Sequence, residues 1–167
     1  MRYCKKPVPS ELMPLRLSDV LRIECLDWQR AAQWAAPLRL EVFVSEQGVP
    51  AHLELDDADS DCTHVLAFDR DGQAIATARL MPDGRIGRMA VRQAWRGQGV
   101  GSALLHALLE QAARQGMARV YLHAQHQACG FYARHGFVQD GAGYLEAGIP
   151  HQTMVLELPD APVGRGG

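Results

Sequence analysis

The first regular pattern along the chain is an alternation of apolar and polar residues over Val20–Leu26, which is typical of a strand. Asp27 follows as a helix N-cap, because its short carboxylate accepts hydrogen bonds from the first backbone amides of a helix. The pattern predicts a helix over residues 28–36. Pro37, whose fixed φ suits the first position of a helix, starts another helical turn that reaches Phe43.

The middle of the chain predicts three short strands. Residues 64–69 and 73–81 are mostly apolar and flank an Asp-Gly pair, a dipeptide typical of a tight hairpin turn. A second Asp-Gly pair leads into a third strand over residues 85–91.

The strongest helical pattern lies over residues 99–115, where apolar residues recur every three or four positions. The residues on that face are Val100, Leu104, Leu105, Leu108, Leu109 and Ala112. Gly116 is placed to end this helix, because glycine readily adopts the left-handed conformation that closes a helix C-terminus.

The C-terminal third of the chain predicts shorter elements. Residues 119–124 form a buried type of strand, residues 128–135 a short helix, and further strands begin at Phe137 and cover residues 152–158. The order of strands, helix, strand, helix and strands predicts a mixed α/β sheet with helices on its faces.

The length of 167 residues and the 47% content of hydrophobic residues fit one folded domain. We place this domain at residues 17–158, between an N-terminal tail over residues 1–16 and a C-terminal tail over residues 159–167. Both tails are rich in helix-breaking residues. No apolar run exceeds four residues and no secretory signal is visible, so we expect a cytoplasmic protein without a membrane partner.

The net charge of −2 excludes the strongly basic class of nucleic-acid-binding domains. The four cysteines are widely spaced and contain no CxxC pair, which predicts reduced thiols. No metal site is expected: His123, His126 and Cys129 are evenly spaced but cross from a strand into a helix and lack a fourth ligand.

The candidate chemistry is concentrated in residues 96–101, which read RGQGVG and lie between a strand and the best helix. A glycine-rich turn lets the backbone approach a ligand closely, and the free amides of a helix N-terminus attract phosphate. A Walker loop is excluded because the chain has no lysine after Lys6, and the dinucleotide fingerprint has Ser102 in place of its third glycine. The alternative is a turn that only packs the helix on the sheet.

The same residues resemble a known family. The pattern RxxGxG at residues 96–101 is similar to the acyl-CoA diphosphate loop of the GNAT N-acetyltransferase superfamily. Downstream, the pattern QxxAxxFYxxxGF at residues 125–137 resembles a second motif of that superfamily. Residues 38–50 and 148–151 resemble its ElaA-like branch, and the resemblance covers about residues 20–157.

This resemblance implies a single-domain α/β (α+β) fold: a mixed, mostly antiparallel sheet of six or seven strands, splayed between the fourth and fifth strands, with helices on both faces. Pantetheine would lie in that gap, between residues 85–91 and residues 119–124. The implied cosubstrate-binding residues are Met89, Ala90, Val91, Arg96, Gly97, Gln98, Gly99, Val100, Gly101, Gln125 and Phe131. Gln125 stands where many relatives have Asn.

The resemblance also assigns catalytic roles. Tyr132 occupies the motif position of the general acid, which would protonate the leaving thiolate; the alternative is that Tyr132 only packs its helix on the sheet. Many relatives carry a glutamate base on the fourth strand, but residues 85–88 read RIGR here. The candidate bases are therefore His123, Glu46, His151 and Glu146, with a water chain to solvent as the alternative.

We therefore expect an N-acyltransferase that uses acetyl-CoA as cosubstrate and acylates a small-molecule amine or a peptide amine by direct attack. The alternatives are an acyl-CoA-binding or sensing domain without catalysis, and a GNAT-like acyl synthase that uses another nucleophile. The sequence leaves the choice between a monomer and a homodimer open.

Two charged regions have both a binding and a structural interpretation. Positive charge is concentrated before the glycine-rich turn, where about two of five arginines are expected to face the cosubstrate phosphates while the rest are solvated. These arginines are Arg79, Arg85, Arg88, Arg92 and Arg96. The acidic residues 54–61 either attract a cationic acceptor or form a solvated loop, and they lack the glycine and glutamate that a calcium loop requires.

Overall fold

The computed structural model describes residues 20–159, so the predicted N-terminal tail over residues 1–16 and, apart from residue 159, the predicted C-terminal tail over residues 159–167 lie outside the described part. The chain begins with β1 (Val20–Leu26) and α1 (Trp28–Arg39). Asp27 caps α1 as predicted, since its carboxylate accepts from the Arg30 amide at 3.0 Å. Pro37, however, lies inside α1, which continues into a π-helical segment, Leu40–Glu46.

The first sheet contains four antiparallel strands in the order β1-β2-β3-β4. These are β1, β2 (Thr63–Asp69), β3 (Ala74–Leu80) and β4 (Ile86–Val91). The tight turn between β2 and β3 is confirmed: the Asp69 carboxylate accepts from two amides of the turn at 2.9 Å each, and Gly72 has a φ of 76°. All residues of β3 are buried, because helices cover both faces of the sheet.

The second sheet is built around the last strand. β5 (Arg119–Gln125), β6 (Val138–Gln139) and β7 (Tyr144–Glu146) all pair antiparallel with β8 (Ile149–Glu157). The short β7 was not predicted, and it brings the strands of residues 20–159 to eight.

The predicted splay between the fourth and fifth strands is confirmed. The two sheets are joined by one parallel bridge, between Arg85 and Tyr121, and by a 3.0 Å hydrogen bond from the Tyr121 amide to the Gly84 carbonyl. Beyond these contacts β4 and β5 diverge. The fold class is thus the mixed α/β arrangement expected from the sequence.

The two faces are covered by different helices. α3 (Val100–Arg114) buries Val100, Leu104, Leu105, Leu108 and Ala112 against both sheets, which confirms the periodicity. The helix ends as predicted: the amides of Gly116 and Met117 donate to the carbonyls of Ala113 and Ala112, which closes its last turn. On the opposite face, α1 packs against the first sheet.

A β-bulge in β4 shapes the gap. Thr77 of β3 pairs with Ala90 and Arg79 pairs with Gly87, so that two residues of β4 stand opposite one residue of β3. The first of the two, Arg88, has a φ of 50°. The extra residue reverses the alternation of the strand, which is why Ile86 packs under α3 while Ala90 packs under α1.

The two predictions for the acidic segment, a solvated loop and an attractor of a cationic acceptor, are wrong for Glu54 and Asp59, which are buried in ion pairs, whereas its other carboxylates are exposed. Asp59 is 1% exposed, and its Oδ1 accepts from Arg39 and from Arg79 at 2.8 Å each. Glu54, in α2 (Ala51–Glu54), accepts from Arg39 Nε at 2.6 Å. A hydrogen bond from Arg79 lowers the pKa of Asp56 to about 2.

This buried charge network, defined by Arg39, Glu54, Asp59 and Arg79 and joined at its exposed edge by Asp56, also corrects the prediction for the arginines. Arg79 is 4% exposed and does not face solvent. Arg88 reaches the edge of the network, where its Nη2 donates to the Leu53 carbonyl at 3.2 Å. Buried guanidinium groups need carboxylate partners, and the acidic segment supplies them.

Candidate active site

A cleft of about 550 Å³ lies between β4 and the N-terminal end of α3. Its walls are the C-terminal half of β4, the turn before α3, the first turn of α3, and α4 (Cys129–Arg134). The lining residues include Met89, Ala90, Val91, Arg96, Gly97, Gly99, Val100, Gly101 and Phe131.

The glycine-rich turn has the conformation that an anion site requires. Gly97 and Gly99 have φ values of 72° and 86°, in the left-handed region that favours glycine. Gly99 is the N-cap of α3 and provides no capping side chain. The first intrahelical hydrogen bond is donated by Ala103 to the Gly99 carbonyl, so the amides of residues 99–102 have no acceptor within the helix.

The turn also leaves room for a ligand, because Gly101 has no side chain. A Cβ added at Gly101 would lie 3.7 Å from the Phe131 ring and 3.9 Å from Val91, within the space between the two walls. Unpartnered amides and a helix N-terminus facing an open cleft are suited to phosphate groups. The residues present therefore fit the diphosphate of an acyl-CoA.

Arg96 is already engaged at the rim of this cleft. Its Nε donates to the Val91 carbonyl at 2.8 Å, and its Nη2 donates to Glu46 Oε2 at 2.7 Å. The ion pair connects the end of the π-helical segment to the glycine-rich turn. The positive charge of Arg96 is therefore balanced by Glu46 and is not left free for a ligand.

β4 offers a free edge to the cleft. One edge pairs with β3, whereas the other pairs with β5 only through the bridge at Arg85. An open strand edge presents backbone donors and acceptors that an extended ligand can pair with. The bulge at Arg88 and Met89 lies in this part of the strand.

Tyr132 lies in α4, directly after Phe131 but outside the cleft lining. Its ring contacts those of Phe131 and Phe137, at centroid distances of 5.1 and 5.8 Å. Among residues 20–159, no group hydrogen-bonds to its hydroxyl. Burial raises the pKa of Tyr132, so the phenol stays protonated at neutral pH.

His123 belongs to a row of rings on the exposed face of the second sheet. Its Nδ1 lies 3.0 Å from Thr153 Oγ1 and 2.7 Å from the Tyr144 hydroxyl. Tyr121, at the bridge where the gap closes, packs edge-on against the imidazole. Burial lowers the pKa of His123, and the nearby Arg85 adds to this effect, so the neutral imidazole dominates at neutral pH.

The other two candidate bases of this region are paired with each other. His151 Nε2 lies 3.5 Å from Glu146 Oε2, and His151 Nδ1 lies 2.8 Å from the Ile149 carbonyl. His151 also stacks on Tyr144, which connects the pair to His123. The structure thus brings His123, Glu146 and His151 together and places Glu46 elsewhere, beside Arg96.

Comparison with known proteins identifies the family. Residues 31–158 match the family described as the acetyltransferase (GNAT) domain. The chain belongs to the GNAT acetyltransferase family. It is 38% identical over 123 residues to YjcF, an uncharacterized N-acetyltransferase of Bacillus subtilis, and this match covers 72% of the chain and 88% of YjcF.

Two solved structures support the same assignment. An acyl-CoA N-acyltransferase from Pseudomonas aeruginosa superposes with a TM-score of 0.72 at 37% identity, covering 80% of this chain and 97% of that one. Escherichia coli ElaA superposes with a TM-score of 0.73 at 32% identity, covering 81% and 99%. The predicted resemblance to GNAT proteins with an ElaA-like relative is confirmed.

Most of the residues predicted to bind the GNAT cosubstrate line the cleft, but two do not. Gln98 turns back to donate to the Ala94 carbonyl at 2.9 Å, and Gln125 accepts from Gln127 at 3.0 Å. The sequence prediction missed other lining residues, which are Val42, Gln47, Trp95, Ser102, Ala128 and Arg134. Arg134 could have been found, because it lies three residues after Phe131 and hence on the same helix face.

No helix within residues 20–159 is long and apolar enough to cross a membrane. In the same range, His, Cys, Asp and Glu side chains form no group of three or more able to hold a metal ion. His123, His126 and Cys129, which are evenly spaced in sequence, do not converge on such a site.

Proposed function

We propose that the chain is an N-acyltransferase that moves an acetyl group from acetyl-CoA to a primary amine by direct attack. The observation that supports this function is the uncapped N-terminus of α3 facing the cleft beside the free edge of β4. Acetyl-CoA supplies an acyl group activated as a thioester. The residues described above account for its binding and for the proton transfers.

The amides of residues 97–101 hold the diphosphate, with the positive end of the α3 dipole behind them. The free edge of β4 at Met89 and Val91 pairs with the amides of pantetheine as a neighbouring strand would. The bulge at Arg88 releases backbone groups from the sheet next to the thioester. Amides at this position polarise the acyl carbonyl as negative charge develops on it.

Tyr132 acts as the general acid that protonates the leaving thiolate. A phenol of ordinary pKa is a weaker acid than a thiol by about 2 kcal/mol, and burial increases this difference. Since no group among the described residues hydrogen-bonds to the hydroxyl, we take it to be available to the leaving group. Tyr132 directly follows Phe131, which lines the cleft, and its ring contacts the Phe131 ring at a centroid distance of 5.1 Å.

His123 is the base that takes the proton of the acceptor ammonium. Glu46 is neutralised by Arg96, and His151 uses both nitrogens with Glu146 and with the backbone. The hydroxyl groups of Thr153 and Tyr144 both contact the Nδ1 atom of His123. With the Nδ1 proton donated to Thr153, Nε2 carries the lone pair that a base requires.

An acyl-CoA-binding domain without catalysis is the second candidate. The observation that favours this candidate is that β4 contains no carboxylate that could act as the base. Arg88 lies on this strand instead, and its side chain donates hydrogen bonds to the carbonyls of α2. A thiol-release assay with acetyl-CoA and a panel of polyamines, amino acids, antibiotics and peptide N-termini separates the two functions. Turnover of any amine supports the enzyme. Tight binding of acetyl-CoA by calorimetry without any turnover supports the binding domain.

A further inference from the structure

Arg85 lies directly before β4, at the point where the two sheets meet. Its backbone forms the parallel bridge with Tyr121. The next residue, Ile86, packs under α3, so the alternation of the extended chain directs the Arg85 side chain to the opposite face. The residues of β5 that alternate with Tyr121 and His123 are buried under α3 as well. Arg85 therefore shares one face of the molecule with Tyr121 and His123.

The guanidinium of Arg85 has no acidic partner in this part of the fold. The residue is half-buried, and among residues 20–159 no carboxylate lies within ion-pair distance of it. Asp83 is two positions away in the chain, but its Oδ1 accepts from the Arg85 amide at 3.0 Å and its Oδ2 accepts from the Tyr121 hydroxyl. This neighbouring carboxylate is engaged by other donors, so the positive charge of Arg85 is left unpaired.

This unpaired charge lies close to His123, the proposed base. Burial lowers the pKa of His123 and the Arg85 guanidinium lowers it further, whereas Glu146 raises it. Glu146 is itself paired, because its Oε2 lies 3.5 Å from His151 Nε2. Tyr121 and His123 are two residues apart on β5, which separates them by about 7 Å along the strand. Arg85, next to Tyr121, is therefore within reach of a small molecule whose amine contacts His123.

We infer that Arg85 binds a carboxylate of the acceptor, so that the enzyme acylates amines that also contain a carboxylate, the class of the amino acids. The inference rests on the proposed function, in which His123 takes the proton of the acceptor ammonium. A guanidinium holds a carboxylate through two parallel hydrogen bonds, and this pairing is strong because both groups are charged. The carboxylate is then held beside Tyr121 while the amine is directed to His123.

The same charge disfavours another class of acceptor. A polyamine carries a second ammonium group in place of the carboxylate, and the unpaired guanidinium repels that group. The charge of Arg85 thus selects between two classes of acceptor that both contain a primary amine.

The test compares α-amino acids with the corresponding amino acid amides, whose carboxylate is replaced by a neutral amide, in a thiol-release assay with acetyl-CoA. The amine of the amide is less basic, so the measured quantity is the change in the ratio of the two kcat/KM values when Arg85 is substituted. We expect Arg85→Gln to lower the ratio of acid to amide about tenfold, mainly through a higher KM for the amino acid. A change in the pKa of His123 affects both substrates equally and cancels in this ratio. Arg85→Lys, which keeps the charge but not the planar fork, should lower the ratio about threefold or less.

Arg119→Gln is the matched control, because it removes the same charge from the same face of β5, two residues before Tyr121. It should leave the ratio unchanged. Calorimetric titration should give the same Kd for acetyl-CoA in the natural protein and in Arg85→Gln, since Arg85 is assigned to the acceptor and not to the cosubstrate.

Turnover of amino acids and amides with a ratio that Arg85→Gln does not change would overturn the inference and leave the proposed function intact. An equal loss of activity toward both substrates would assign Arg85 to the surroundings of His123 and would also overturn the inference. Faster turnover of polyamines than of amino acids by the natural protein would do the same. Failure of the protein to acylate any amine of the panel would refute the proposed function itself, and the inference with it.

Discussion

The left-handed conformation of Gly97 gives a quantitative test of the phosphate turn. Gly97 has a φ of 72°, and a Cβ built on it has no atom within 4 Å, so substitution with alanine adds no clash. The cost of Gly97→Ala is therefore conformational. A left-handed backbone costs an L-residue about 1–2 kcal/mol.

Gly130→Ala is the matched control. Gly130 also has no atom within 4 Å of its added Cβ, but it lies in α4 without a positive φ. The same methyl group should there raise the free energy of unfolding by about 0.5–1 kcal/mol, because glycine is unfavourable in a helix. The two variants should thus change the free energy of unfolding in opposite directions, although both add one carbon atom at an open position.

Urea denaturation measures both effects, and calorimetric titration with CoA measures the functional consequence. If Gly97→Ala shifts the turn toward another conformation by about 1–2 kcal/mol, the Kd for CoA should rise about 5- to 30-fold. Gly130→Ala should leave that Kd unchanged. Gly97→Ala with natural stability and natural CoA affinity would refute the role of the left-handed turn.

Three further changes test other parts of the site and fold. Tyr132→Phe should lower kcat about 100-fold while the Kd for acetyl-CoA stays constant, and a large loss of affinity would contradict the general-acid role. The value of kcat/KM should rise with pH through a pKa below 6.5, because burial disfavours the charged form of His123. This rise with pH should disappear in His123→Gln, and its persistence in that variant would exclude His123 as the base. Asp59→Asn should reduce the free energy of unfolding by about 3–5 kcal/mol, because it leaves Arg39 and Arg79 buried without the negative charge that both contact. A loss below about 1 kcal/mol in urea denaturation would contradict the importance of the buried charge network.

The apolar face of α3 and the helix ends marked by Asp27 and Gly116 follow from local chemistry and were predicted correctly. The apolar spacing of α3 needs only the helical period. That helix ends through hydrogen bonds from the Gly116 and Met117 amides to carbonyls three and five positions earlier in the chain. Asp27 caps α1 through a residue three positions away. In each case the interacting groups are close in sequence, so the pattern contains the information.

The features that were missed join distant residues. Arg39 meets Asp59 twenty residues away, and Arg79 reaches back across the same distance, so neither the burial of the arginines nor the pairing of the acidic segment is visible in a local pattern. The positive φ of Arg88 likewise arises from the register between β3 and β4 and not from a residue type that favours it.

The sequence by itself determined that a glycine-rich turn precedes an amphipathic helix, because conformational preference and hydrophobic period are properties of neighbouring residues. Only the tertiary structure decided which charges remain available in the cleft. Arg96 and Glu46 neutralise each other across fifty residues of chain, whereas Arg134 has no such partner among residues 20–159. The net charge of a site depends on distances in space, and these are set when the helices and both sheets pack together.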